Sequence, residues 1–281
     1  MRHLSILLVL LFIGQVGQAQ RTPFGNNPKA GNYVKINGIN LYFETYGSGP
    51  PLVLLHGNGG SMAGYADILP KLSEKYRVIA IDSRCHGKSG CSRELNYDMM
   101  AADVNALLDH LKIDSAYVYG HSDGGIVGLI MAFTYTKKVK RLVASGANVV
   151  PDKTALEPAI VDLMKNYNRI PDTLMQKHVR LMVEYPHIDF GQLTKINAPV
   201  MIVSGDRDAV VLEHSIKIFR AIPNSNLCVL PATSHFVVSE KPNLLVYWLN
   251  EFFFKDFSKP STVEWAIKAG QQMGLSEKSG H

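Results

Sequence analysis

The chain has 281 residues, 46% of them hydrophobic and 19% charged, and a formal net charge of +5. That length and apolar content suit one large globular domain with room for a small insertion, and they exclude a disordered or fibrous chain. The basic residues are scattered without a long block, so the charge does not imply a nucleic-acid partner.

Residues 1–19 read as a signal peptide. Met1-Arg2-His3 is a short basic start, Leu4 to Ile13 is an apolar run, and Gly17-Gln18-Ala19 places small residues before a cleavage site near Ala19. A bilayer span needs roughly 20 apolar residues, more than this run supplies, so a secreted or periplasmic chain with no stable membrane insertion after cleavage is expected. Residues 20–32, rich in Gly, Pro and Asn, read as a linker or a surface arm.

From Tyr33 the pattern becomes regular. Tyr33 to Ile36 and Asn40 to Tyr46 flank Asn37-Gly38, a strong hairpin signal. Short apolar runs follow: Leu52 to Leu55, Val78 to Ile81, Ala116 to Tyr119, Val139 to Ala144, Val200 to Val203 and Leu227 to Leu230. Strands with no polar alternation are buried on both faces, and the intervening amphipathic stretches (62–73, 98–111, 122–135, 210–221 and 241–254) predict helical crossovers. The expected fold class is α/β, a mostly parallel central sheet with helices on both faces, built from residues 33–147 and 197–258.

Residues 148–196 are too long for an ordinary strand-to-helix connection and carry helical patterns near 155–167 and 172–185, which predicts a small helical lid insertion. Its apolar side chains Leu163, Met164, Tyr167, Leu181, Met182 and Tyr185 are expected to pack it onto the body rather than line a pocket. The polar tail, 259–281, carries one weak helical pattern around Val263 to Ala269. Of three cysteines, Cys85 and Cys91 are near enough in sequence for a loop disulfide in an oxidising compartment, although their spacing does not decide whether it forms. No CxxC or Cys/His cluster points to a metal.

The chemistry concentrates at Gly120-His121-Ser122-Asp123-Gly124, a GxSxG motif between the strand Ala116 to Tyr119 and the apolar stretch Ile126 to Phe133. Strand, tight turn and helix in that order make a nucleophile elbow, which lifts the serine hydroxyl clear of the backbone at the C-terminal edge of a parallel sheet. Adjacency disqualifies His121 and Asp123 as base and orienter, because successive side chains on a turn into a helix point in different directions.

With LLHGNGG, IDSRCHGKS, GHSDGG, GDRD and SHF in this order, the chain resembles an α/β-hydrolase fold serine hydrolase over about residues 33–255. The resemblance implies a triad in the chain order Ser, Asp, His: Ser122 as nucleophile, Asp208 as acid and His235 as base. In similar proteins the acid is the third residue after the glycine of the GDRD motif, which favours Asp208 over Asp206. Asp206 would then tie the loop together or pair with Arg207. Residues 145–148, where some relatives carry the acid, offer no carboxylate.

The resemblance also implies an oxyanion hole from the backbone N–H groups of Asp123 and Asn58, with Gly59 as an alternative to Asn58. Similar proteins usually have Gly where Cys85 stands, so the local turn differs here or is held by a bond to Cys91. His86 precedes the nucleophile and is not expected to be the base. No cofactor and no metal are implied. The expected partner is a small acyl substrate, most broadly a carboxylic ester. A proline-releasing aminopeptidase, which would want an acidic anchor such as Glu157 or Glu184, and a carbon–carbon bond hydrolase are the alternatives on the same triad. A non-catalytic binding protein of the same fold is the reading from another class.

Overall fold

The structure is a computed structural model describing residues 23–273, so the predicted signal peptide lies outside the described residues. It opens with the hairpin β1 (Gly31–Ile36) and β2 (Ile39–Tyr46). The turn between them holds Asn37 and Gly38 at φ 43° and 79°, the left-handed pair that a two-residue hairpin needs. There follow β3 (Pro51–Leu55), α1 (Leu69–Ser73), β4 (Arg77–Ile81), α2 (Tyr97–His110), β5 (Ala116–His121), α3 (Asp123–Thr134) and β6 (Val139–Ser145). The 146–199 connection carries α4 (Pro158–Met164), α5 (Thr173–Glu184) and α6 (Phe190–Leu193). After it come β7 (Val200–Arg207), α7 (Leu212–Ala221), β8 (Ser225–Ser234), α8 (Val237–Glu240), α9 (Pro242–Phe254) and α10 (Thr262–Gln272).

The eight strands form one sheet in the order β1-β2-β4-β3-β5-β6-β7-β8, antiparallel through β1, β2 and β4 and parallel from β4 onward. After β3 the chain moves outward to β4 and returns to lay β5 on the other side of β3. That reversal opens a crevice at the carboxyl ends of β3 and β5, where α/β sheets place their sites. The central strands are buried on both faces: Val53 and Leu55 of β3 join one core with α2 and α3, while Leu52 and Leu54 join the other with α1 and α9.

The helical pattern over 62–73 is divided. Met62–Tyr65 is a 3-10 turn capped by Ser61, and α1 begins afresh with Pro70 at its start, because a proline cannot donate to a preceding turn. The pattern over 155–167 is shortened in the same way, with Pro158 opening α4. In β7 and β8 the pairing runs beyond the apolar residues, out to Arg207 opposite Ser234, since backbone hydrogen bonds do not require apolar side chains. These extensions carry the two loops of chemical interest.

The expectation that the apolar residues of the insertion only pack onto the body is corrected. Leu181 is buried in the core, but Leu163, Met164, Tyr167, Met182 and Tyr185 line a cavity between the insertion and the sheet edge. Their spacing on the helices is the same for either outcome, so periodicity could not separate the two. The insertion is stitched to the loop after β7: Leu156 bridges Val210, Glu157 N–H donates to Ala209 O, and Val211 N–H donates to Ala155 O.

Candidate active site

Ser122 stands between β5 and α3 with φ 54° and ψ −120°, a left-handed conformation costing of order 1–3 kcal/mol that the surroundings must hold in place. Its neighbours show how. A Cβ on Gly120 would come 2.1 Å from Gly124 O, and one on Gly124 would come 1.9 Å from Leu55 O. Only glycine lets the turn close this tightly and lets α3 lie against β3.

Late in the chain, two loops converge on this serine. The Asp208 carboxylate follows the end of β7 and is buried, accepting hydrogen bonds from the backbone N–H of Val210 (3.1 Å) and Gly205 (3.3 Å). His235 follows β8; its Nδ1 lies 2.6 Å from Asp208 Oδ1 and its Nε2 lies 2.9 Å from Ser122 Oγ. A neutral ring whose Nδ1–H donates to Asp208 presents the Nε2 lone pair to the serine hydroxyl. Asp206 is half-buried and turned away, accepting from Thr233 N–H (3.1 Å), which holds its carboxyl below the ordinary carboxylate value. It ties the two loops together, and Arg207 Nη1 donates to the Asp206 backbone carbonyl.

The loop after β3 lies against the other side of the serine, where a Cβ on Gly57 would meet Ser122 Cβ at 3.0 Å. Asp123 is the first residue of α3, so its N–H is among the donors a helix leaves without an internal partner. Its carboxylate is buried and accepts from Asn58 Nδ2 and Tyr97 Oη, both at 2.8 Å. Burial pushes that carboxyl up to about 6, against the opposing pull of these two donors.

His121, next to Ser122, stands outside this line of hydrogen bonds. Its ring packs 5.0 Å from that of His235, and burial first, then the neighbouring His235, pushes it down to about 3. His86 is likewise buried, stacked at 4.0 Å on His178 and held down to about 3. Cys85 and Cys91 are disulfide-bonded and Cys228 is free. Cys85 keeps φ 63°, so the turn that a glycine would make is preserved despite the side chain.

Two cavities, each of about 770 Å³, meet at Ser122, Met182, His235 and Phe236. The first runs along the glycine-rich 56–61 loop toward Gly64 and Ser239. The second lies under the insertion, with Leu156, Ile160, Met164, Val179 and Val210 among its walls and Arg169 at an exposed rim. Glu157 and Glu184 line neither cavity, and Glu184 pairs with Arg180.

Residues 50–178 match the family model described as alpha/beta hydrolase fold, over the segment that contains the elbow and the 56–61 loop. The chain has the α/β-hydrolase fold. The chain is 27% identical over 263 residues to the uncharacterized hydrolase YugF of Bacillus subtilis, covering 77% of its own length and 95% of that chain. It is 33% identical over 154 residues to the sn-1-specific diacylglycerol lipase ABHD11 of Danio rerio, covering 52% and 48% of the two chains. Its fold superposes with a TM-score of 0.69 on a thermophilic esterase from Thermogutta terrifontis, at 22% identity and covering 81% and 100% of the two chains.

Two features of this site carry no signal in the local sequence. Tyr97 comes from the start of α2, and no local motif marks it. Gly146, at φ 60°, lies in the segment that offers no carboxylate, yet a Cβ there would stand 2.8 Å from His235 Cε1.

Proposed function

We propose that the protein is a serine hydrolase that cleaves carboxylic esters through an acyl-enzyme. The observation that carries this reading is the unbroken line of hydrogen-bonding distances from Asp208 through His235 to Ser122 Oγ. A serine hydroxyl is a poor nucleophile near neutral pH and needs a base in contact with it, itself oriented by a third group. His235 takes the proton as Ser122 Oγ attacks the ester carbonyl, and Asp208 stabilises the imidazolium that results. The oxyanion rests on the N–H groups of Asp123 and Asn58. The imidazolium then protonates the leaving alcohol, and a water activated by the same ring releases the acid.

The two cavities give the ester's halves different surroundings. The apolar walls under the insertion suit a bulky hydrocarbon group, and the glycine-lined channel suits a compact one. The names of the hydrolase and lipase relatives are in keeping with this chemistry. An aminopeptidase is less well supported, since the acidic residues considered as anchors for a substrate amine lie outside both cavities.

The test is labelling with a fluorophosphonate, run beside an ester and amide panel. Labelling and ester turnover in the wild type, with both lost in Ser122→Ala, is the expected result. A folded wild type that takes no label, or a Ser122→Ala variant labelled equally well, overturns the proposal.

A further inference from the structure

The oxyanion donors just proposed sit on unequal supports. Asp123 is the first residue of a buried helix, whereas Asn58 lies on a loop with glycine at 57, 59 and 60, and Gly59 at φ 65°. Such a loop loses much conformational freedom on being held in one shape, and catalytic donors must be fixed within about 0.5 Å. Some interaction has to fix this one.

We propose that Asn58, Asp123 and Tyr97 form a brace that fixes the oxyanion loop against the helix behind the nucleophile, and that these side chains are positioning residues for the reaction proposed above. The Asn58 amide nitrogen donates one hydrogen to Asp123 Oδ2 (2.8 Å) and the other to the backbone oxygen of His178 on α5 (3.0 Å). Tyr97 Oη donates to the second carboxylate oxygen, Asp123 Oδ1, at 2.8 Å. The two residues whose backbone N–H groups would hold the oxyanion are thereby joined through their own side chains.

The outer end of the brace is itself anchored. His178 donates from Nε2 to the Cys85 carbonyl (2.8 Å), in the disulfide loop, and stacks on His86. The insertion therefore reaches the oxyanion loop through one backbone carbonyl. Asp123 and Tyr97 are 3% and 2% exposed. A carboxylate is costly to bury there, and its two oxygens each accept a hydrogen bond from a donor on a different element.

The test compares Asn58→Ala, Asp123→Ala, Tyr97→Phe and Asp123→Asn, following kcat and KM for an ester and affinity for an alkyl boronic acid that mimics the tetrahedral intermediate. Loss of one oxyanion donor typically costs about 10²- to 10³-fold in rate. Asn58→Ala and Asp123→Ala are expected to lower kcat by about 10²-fold with KM within threefold, and Tyr97→Phe by roughly 10-fold. Boronate affinity should fall in parallel with kcat. Asp123→Asn, which keeps an acceptor for Asn58, recovers most of the loss.

A merely structural role would lower the melting temperature and leave kcat and boronate affinity of the folded variants unchanged. That result overturns the brace while the serine hydrolase reading stands. A wild type that neither hydrolyses esters nor takes the phosphonate overturns both.

Discussion

Gly146→Ala is the sharpest perturbation of the histidine that leaves every proposed catalytic residue in place. A methyl at 146 would lie 2.8 Å from His235 Cε1 and 2.9 Å from Nδ1, against an ordinary carbon contact of about 3.5 Å or more, so the ring must yield by roughly 0.7 Å. The same methyl would sit 3.5 Å from Asp208 Oδ2, an ordinary contact, so the ring moves relative to the acid. A 1 Å misplacement costs about 10²-fold in rate, and kcat/KM is therefore expected to fall roughly 10- to 100-fold. The left-handed φ of 60° adds about 1–2 kcal/mol of destabilisation. Gly38→Ala is the control: φ is 79° and nothing lies within 4 Å of the added methyl, so it carries the strain without the clash. Ester kinetics and melting curves on both variants make the comparison. If Gly146→Ala turns over within threefold of Gly38→Ala, the packing of His235 against this glycine is not what sets the triad geometry.

Asp208→Asn is expected to reduce kcat by about 10⁴-fold, as loss of a triad acid does, whereas Asp206→Asn should stay within a few-fold; the reverse order in ester assays would transfer the acid role to Asp206. Stability should fall on acidification. His86 and His121 are held down to about 3 in the fold against 6.5 when unfolded, so the unfolded chain alone takes up protons below 6.5 and each histidine costs about 2 kcal/mol by pH 5. Asp123, raised to about 6 from 3.8, works in the opposite sense and returns about 1.4 kcal/mol over the same interval. His214, held down to about 4 mainly by burial, adds about 2 kcal/mol in the same direction, so a net loss of about 4 kcal/mol between pH 7 and pH 5 should show in urea unfolding, and a flat profile would refute the assignment. Finally, Asp103→Ala leaves the Arg84 guanidinium, 1% exposed, without its two-point partner, and should cost about 3–5 kcal/mol in the same assay; a shift under 1 kcal/mol would show that water reaches the charge.

How much of this was legible in the sequence follows from where each residue gets its meaning. Ser122, Asp208 and His235 each come directly after an apolar strand, and the resemblance of their local motifs singles out three residues that the structure places within hydrogen-bonding distance of one another. The parallel order of the strands then brings the three loops together. Gly146 acquires its role only because β6 ends beside β7 and under His235, a relation between distant segments that no local pattern carries. Tyr97 and His178 are similar, since each reaches the site from an element whose own motif is an ordinary helix. The insertion was read as packing because an amphipathic helix shows the same face to a core and to a cavity. Cys85 was read as a departure from glycine that left the turn open, and its φ of 63° shows that the backbone kept the glycine conformation.

One stretch of chain, from Leu156 to Tyr185, supplies most of the wall of the cavity under the insertion, while the 56–61 loop supplies the opposing channel. On the proposed function, the fit to one half of the ester is written in a contiguous cassette, separate from the strands that carry Ser122, Asp208 and His235. Descent with modification can retune this cassette without revisiting the chemistry, provided two seams survive: the Leu156–Val210 bridge beside Asp208 and the His178 carbonyl that receives Asn58. A graft from a relative that preserved both seams would carry its donor's preference with it.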